Sequence, residues 1–208
     1  MRSGATSKVS DIEPVSQLTP EDQLRVQLLQ VLATPLANPP SAQILEAFGH
    51  ISGDDTELGQ ALSDCAAAAR DTTVEAEDDA YHELFVGIGS GILIPFGSYY
   101  LTGFLHEKPL AKLRTDMTKL GVEQDPDVKE PEDHIASVLE LMAGLIDGRF
   151  GAPATLEQQR AFFDEHVGSW ATHFFKDLSE TQPSAFYAAL GRLGAIFLEI
   201  EKKAFEYV

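Results

Sequence analysis

The sequence predicts an all-α protein, a single compact multi-helix bundle with one irregular Gly-rich apolar segment, and three observations carry that prediction. Apolar residues recur at three- and four-residue steps through most of the 208 residues, as the buried face of a helix requires. Helix-start signals, with Ser, Thr or Asp ahead of Pro, acidic or amide residues, precede many of these stretches. No convincing strand pair is present, and no internal repeat or low-complexity run points to an array. A hydrophobic content of 44% suffices for a sizeable core, and the length fits one domain.

The elements follow in order. Thr19-Pro20-Glu21-Asp22 reads as an N-cap, a first-position proline and acidic first-turn residues, leading into Leu24, Leu28 and Val31. A second helix follows Pro39-Pro40, and Asp54 to Glu57 supply the cap of a third. That third helix aligns Leu58, Leu62, Cys65 and Ala69 on one face. Thr72 and Glu75 have capping-box spacing ahead of the stripe Ala80, Tyr81, Leu84 and Phe85. Pro109 opens a helix carrying Leu110, Leu113, Met117 and Leu120, and Gly121 stands where a left-handed C-cap residue belongs. Glu130-Pro131-Glu132-Asp133-His134 places Pro131 at a first helical position and two acids at the positive end of the dipole, ahead of Ile135, Val138, Leu139, Met142, Leu145 and Ile146. Thr155 and Gln158 fit a further capping box. Pro183 starts a last helix with Phe186, Leu190, Leu193, Phe197, Ile200 and Ala204 in steady period.

The exception to the helical pattern is Val86 to Leu105, which has no formally charged side chain and holds five glycines and one proline. It is long enough to span a bilayer, but Ser90, Ser98, Tyr99, Tyr100 and Thr102 dilute it. Gly87-Ile88-Gly89-Ser90-Gly91 has neither the Rossmann spacing nor a following Gly-Lys-Ser/Thr. The segment is best read as an apolar wall inside a helical bundle, where glycine permits close backbone approach and aromatic rings supply contact area.

Composition sets the outer limits. Thirty-three acidic against fifteen basic residues give a formal charge of −18, which repels phosphate backbones and favours cationic partners, so nucleic acid is excluded. Cys65 is the only cysteine, so no intrachain disulfide forms, and its helical face marks it as a buried structural thiol. Residues 1–19 lack a continuous apolar run and read as a mobile tail ahead of a helical domain over 20–208. Stable membrane insertion is not expected, and a cytoplasmic location is.

Tyr81-His82-Glu83-Leu84-Phe85-Val86-Gly87, then Pro95-Phe96-Gly97-Ser98-Tyr99-Tyr100, then Glu107-Lys108-Pro109-Leu110 and finally Glu130 to His134 form a series that resembles the TorD/DmsD/NarJ family. The resemblance covers about residues 20–207 and is strongest from Tyr81 to Ile146. It implies an all-helical cytoplasmic chaperone, not an enzyme, that binds the twin-arginine signal peptide on the apo form of a redox enzyme, usually a molybdopterin oxidoreductase. Export would then wait for cofactor insertion. No cofactor of the chaperone itself is implied. Carried onto this chain, the family pattern places peptide binding at Pro95, Phe96, Gly97, Ser98, Tyr99, Asp133 and His134, with Tyr81, Leu84 and Phe85 shaping the adjoining wall. The aromatic after the loop proline is often Trp in the family and is Phe96 here.

The residues fit such a ligand on their own chemistry. A peptide with a charged pair beside an apolar helix-forming run needs an apolar groove that ends in carboxylates. Glu130, Glu132 and Asp133 are the candidates for planar, charge-assisted bonds to arginine. Tyr99 and Tyr100 add hydroxyls or a stacking face, while Phe85, Leu93, Ile94 and Phe96 receive the apolar portion. His166 and Trp170 also resemble a family feature, with interhelix packing as their simpler role. No catalytic residue or metal ligand is expected. The six histidines include no His-Glu-x-x-His arrangement, and no Gly-x-Ser-x-Gly elbow is present. The alternative function is a nucleotide-binding hydrolase that uses the Gly87–Gly91 loop.

Overall fold

The computed structural model of the chain describes residues 18–87, 91–123 and 130–207. Ten α-helices follow one another among them: α1 (Pro20–Ala37), α2 (Ala42–Gly49), α3 (Glu57–Arg70), α4 (Val74–Tyr81), α5 (Gly97–Thr102), α6 (Lys108–Lys119), α7 (Ile135–Asp147), α8 (Leu156–Phe162), α9 (Ala171–Ser179) and α10 (Ala185–Phe205). Helices α4 and α8 each run on into one π-helical turn, at His82–Val86 and Phe163–Val167. Among the described residues the sole pairing of extended backbone is an isolated antiparallel bridge between Phe96 and His134. The proposed tail falls almost wholly on residues 1–17, outside the described residues, as do Ile88, Gly89 and Ser90 of the glycine loop.

Local chemistry sets several helix starts as predicted. Thr19 accepts a hydrogen bond from the Asp22 amide at 3.0 Å, with Pro20 at the first position. Thr155 and Gln158 close their reciprocal capping box. Elsewhere the cap moves by a residue or two. Thr56 caps α3, while Asp54 accepts from the Thr56 amide and braces the turn. Thr73 rather than Thr72 caps α4, because the Thr72 hydroxyl donates to Glu77 instead. Ser184, after Pro183, caps α10. The largest difference lies at the acidic stretch. His134, not Glu130, is the N-cap of α7, and Pro131 to Asp133 form a turn outside the helix, with the His134 amide reaching back to the Pro131 carbonyl at 3.1 Å. Extended backbone at His134 is required there to pair with Phe96, and that pairing prevents the helix from starting earlier.

The core is built on α7, where ten residues from Ile135 to Ile146 are buried and only the face with Ser137, Glu140 and Asp147 reaches solvent. Helix α1 lies along it, and α10 packs against both α9 and α3. Rings of Phe174, Phe175, Phe186 and Tyr187 fill the space between, with Phe174 and Phe175 centred 5.3 Å apart and Phe186 and Tyr187 5.5 Å apart, both edge to face. Cys65 is buried in the core as expected, its thiol pushed up to about 12 by desolvation.

Two polar ties fix α1 within this frame. Its last carbonyls have no partner inside the helix, and tyrosine hydroxyls from other helices supply one: Tyr187 donates to Pro35 at 2.9 Å and Tyr81 to Ala37 at 3.2 Å. At the other end Arg25 forms a two-nitrogen pair with the buried Glu201 at 2.8–3.1 Å and reaches Gln159 at 3.0 Å, joining α1 to α10 and α8. Breaking one side of such a pair leaves an uncompensated buried charge.

The contact between α9 and α10 depends on glycine. A Cβ on Gly191 would stand 2.4 Å from the Ser179 amide nitrogen and 2.8 Å from the Phe175 carbonyl oxygen, both main-chain atoms. Gly191→Ala at an exposed helical site would stabilise by about 1 kcal/mol. Here the sign reverses, with an expected loss of about 1–3 kcal/mol from overpacking. Urea denaturation of the variant at neutral pH checks this through its midpoint at unchanged slope.

Candidate functional site

The Phe96–His134 bridge joins the two segments that the sequence sets apart as binding elements. The Ile135 amide donates to the Pro95 carbonyl at 2.8 Å, and the Gly97 amide donates to the Asp133 carbonyl at 2.8 Å. Helix α5 has no cap from its own N-terminal residues. Asp133 supplies one from 35 positions away, its Oδ2 accepting from the Ser98 amide at 2.7 Å. Gly97 lets α5 sit directly on the indole of Trp170, since a Cβ there would come within 2.9 Å of Nε1. That indole is fixed in turn by donating to the His166 carbonyl at 2.8 Å.

This arrangement leaves two polar atoms without partners. The Ser98 hydroxyl and Asp133 Oδ1 are buried and make no hydrogen bond among the described residues. Such orphan groups cost free energy and call for a physical account. The other predicted acids are placed differently. Glu132 is buried and engaged by Arg114 of α6, whose Nε lies 2.9 Å from both carboxylate oxygens. Burial alone would raise the Glu132 carboxyl, but the bonds from Arg114 bring it below the usual carboxylate range. Glu130 is exposed and close enough to Tyr81 that its charge adds to burial in raising the tyrosine hydroxyl. His134 is buried, with its Nδ1 accepting from the Ala136 amide at 3.2 Å and its ring edge-on to Phe96 at 5.1 Å.

A cleft of about 350 Å³ opens beside these groups, lined by Gly97, Leu101, Leu113, Asp133, Val138 and Trp170, with Lys108, Lys112, Glu165 and His166 at its polar side. Of the residues singled out from the sequence, the cleft gathers Gly97 and Asp133 and adds His166 and Trp170. Leu84 is fully buried behind the site, where its carbonyl holds the Leu93 amide at 2.8 Å. Phe85 is half-buried against Tyr81 and Tyr187. Tyr100 packs against Trp170 at 5.6 Å and donates to Asp177 of α9 at 2.9 Å. Tyr99 faces outward, and with Leu101, Phe104 and Leu105 it forms an exposed apolar band along and just after α5.

Leu101, Lys112, Asp177 and Glu165 are the site neighbours that sequence reasoning passes over. Leu101 could have been found, because Gly103 takes a left-handed φ of 82° that ends α5 and turns the chain toward α6. Asp177 and Glu165 carry no local signal, since only packing brings α9 and the second π-turn to α5. Among the described residues no group of three or more His, Cys, Asp and Glu is placed to hold a metal. No helix of the described residues is long and apolar enough to cross a membrane.

The fold and site thus define a helical protein with a narrow, apolar-walled cleft that ends at a buried carboxylate. The sequence pattern of the family described as nitrate reductase delta subunit matches residues 52–176, and the chain belongs to that family, within the TorD/DmsD/NarJ group of redox-enzyme maturation chaperones. The "Chaperone protein TorD" of Aliivibrio fischeri is 26% identical over 214 residues, covering 91% of this chain and 98% of that protein. The "Probable Tat proofreading chaperone DmsD" of Haemophilus influenzae is 34% identical over 117 residues, 55% of each chain. A crystal structure described as that of a redox enzyme maturation protein from Archaeoglobus fulgidus shares the fold, with a TM-score of 0.54 at 21% identity over 88% of this chain and 96% of that one. The relatives are named chaperones, which gives the nucleotide-hydrolase alternative no support.

Burial pushes the His134 imidazole down to about 4, whereas an unfolded histidine titrates near 6.5. Between these values the unfolded chain binds the extra proton and the folded one does not, so stability falls as pH drops from about 6.5 to 4 and is independent of this group above 6.5. The contribution is on the order of 3 kcal/mol. His134→Asn retains a capping acceptor and removes the titration. Its urea stability measured from pH 7 to 4 should fall less steeply than that of the parent chain, and parallel curves would mean that His134 is not the titrating group.

Proposed function

We propose that this chain is a cytoplasmic chaperone that binds the twin-arginine signal peptide of a redox enzyme, with the apo form of a molybdopterin oxidoreductase as client, so that export waits for cofactor insertion. The helical unit from residue 20 to 208 carries this activity. One observation weighs most: Ser98 Oγ and Asp133 Oδ1 are both buried without a hydrogen-bond partner among the described residues, and Asp133 lines the cleft. A guanidinium supplies what both lack. Its several N–H groups can donate to a carboxylate oxygen and to a hydroxyl, and where water is largely excluded a charge-assisted bond is strong. The four exposed apolar side chains Tyr99, Leu101, Phe104 and Leu105 then offer contact to the apolar run that follows the arginines, as a helix laid in a groove.

On this reading Asp133 carries the arginine contact while Glu132, engaged by Arg114, helps hold the turn. Glu130 stands at the outer edge and contributes to steering, together with the net charge of −18. Pro95, Phe96 and His134 position the turn, Gly97 admits α5 to the indole, and Tyr100 braces the wall.

Titration calorimetry with a synthetic twin-arginine leader tests this. Asp133→Asn keeps an acceptor for the Ser98 amide but replaces the orphan oxygen by an amide. Leader affinity should fall about tenfold or more, the equivalent of one charge-assisted bond, while the thermal midpoint of the free protein stays level or rises. Unchanged affinity with a lowered midpoint would make the carboxylate purely structural. Replacing both leader arginines by lysines should weaken binding to the parent chain, since the planar fork is lost. Leu101→Asp should weaken binding without change in circular dichroism.

A further inference from the structure

An apolar groove of about 680 Å³ runs between α1, α3 and α10 and shares no lining residue with the cleft described above. Leu24, Leu28, Leu62, Phe197 and Ile200 form its walls. Leu24 is 61% exposed and Ile200 45%, a continuous apolar surface of the kind that soluble proteins cover. Its polar rim carries Glu21, Asp22 and Arg25, with Arg25 paired to Asp22 and to the buried Glu201.

Residues 1–17 join the described chain at this rim. Thr19 lines the groove, and Leu18 packs against the core, with its carbonyl held by the Gln23 side chain at 3.2 Å. The segment that precedes them, Met-Arg-Ser-Gly-Ala-Thr-Ser-Lys-Val-Ser-Asp-Ile-Glu-Pro-Val-Ser-Gln, places Val9, Ile12 and Val15 at every third position. The same register continues to Leu18. In a backbone with three residues per turn these side chains form one ridge, and Pro14 is compatible with that backbone. The reach is sufficient. The nine steps from Val9 to Leu18 cover roughly 28 Å in such a conformation, and the groove follows α1 from Thr19 to Val31 for about 18 Å. Arg2 and Lys8 are balanced by Asp11 and Glu13, so the apolar ridge and not charge carries the docking. A tethered segment acts at an effective concentration near the millimolar range, so modest contacts suffice to hold it.

We propose that residues 1–17 dock in cis along the α1–α3–α10 groove, with Val9, Ile12 and Val15 as the apolar ridge, in place of the mobile tail that composition alone suggests. The segment is the cover of that groove, and the leader-binding cleft is a separate surface.

A nitroxide on Ser10→Cys in the full chain tests the proposal, since Cys65 is fully buried and stays unmodified. The methyl signals of Leu24, Leu28 and Ile200 should broaden selectively. Broadening should be lost in the same labelled chain carrying Val9→Asp, Ile12→Asp and Val15→Asp. Leu24→Glu, a change at an exposed position that does not threaten folding, should also remove it from Leu28 and Ile200. Absence of broadening at these methyls overturns the proposal, as does its survival in either variant. A mixture of nitroxide-bearing chains and isotope-labelled chains without nitroxide should show none. Broadening in that mixture places a second copy in the groove and overturns docking in cis.

Discussion

A helix whose start is buried must have its free N-terminal amides satisfied from within the protein, and α7, with Glu132 to Ala136 all buried, imposes that constraint on everything around it. Four amides at a helix start lack partners in the helix itself. For α7 the His134 ring takes one, at Ala136, and the Pro95 carbonyl takes another, at Ile135. The second bond draws the chain before α5 against the chain before α7. Once they are joined, the Asp133 carboxylate has only one place to go, the bare N-terminus of α5. The cleft is therefore a by-product of terminating the central helix, and its geometry is tied to the core from which it emerges.

That coupling explains why the acidic residues near the site are not equivalent. Glu132 and Asp133 are adjacent in sequence, yet one faces α6 and meets Arg114 while the other faces α5 and meets a backbone amide. An exposed pair of acids would contribute only diffuse attraction, screened within about 8–10 Å at ordinary salt. On the proposed reading, a carboxylate held in place by one oxygen, with the other buried and unpartnered among the described residues, would discriminate by shape and direction. On that reading the excess of acidic residues over the rest of the surface would serve approach, and the buried carboxylate selection.

Much of the fold was legible because its determinants are local. The apolar stripes of α7 and α10, the cap at Thr19 and the box at Thr155 and Gln158 depend on residues within one or two turns. The family resemblance likewise rested on short contiguous stretches. What was illegible depends on contacts far apart in the chain. Pro131 looks like a first-turn proline until the backbone of His134 is seen to pair with Phe96, which holds the helix off until Ile135. Helix α5 has no cap in its own sequence, because the cap arrives from Asp133. Arg114 gives no sign along its own helix that it will occupy Glu132, and the glycines of α10 do not announce which backbone they approach.

The chain has a single tryptophan, and that residue forms part of the cleft floor, with Gly97 on one face of the indole and Tyr100 beside it. Its emission therefore originates at one known spot, with no background from elsewhere in the molecule. If the proposed leader enters this cleft, it changes the polarity and the quenchers around that one ring. On the proposed function the protein would thus carry an optical gauge of its own occupancy, readable on the unlabelled native chain and on the millisecond scale of mixing.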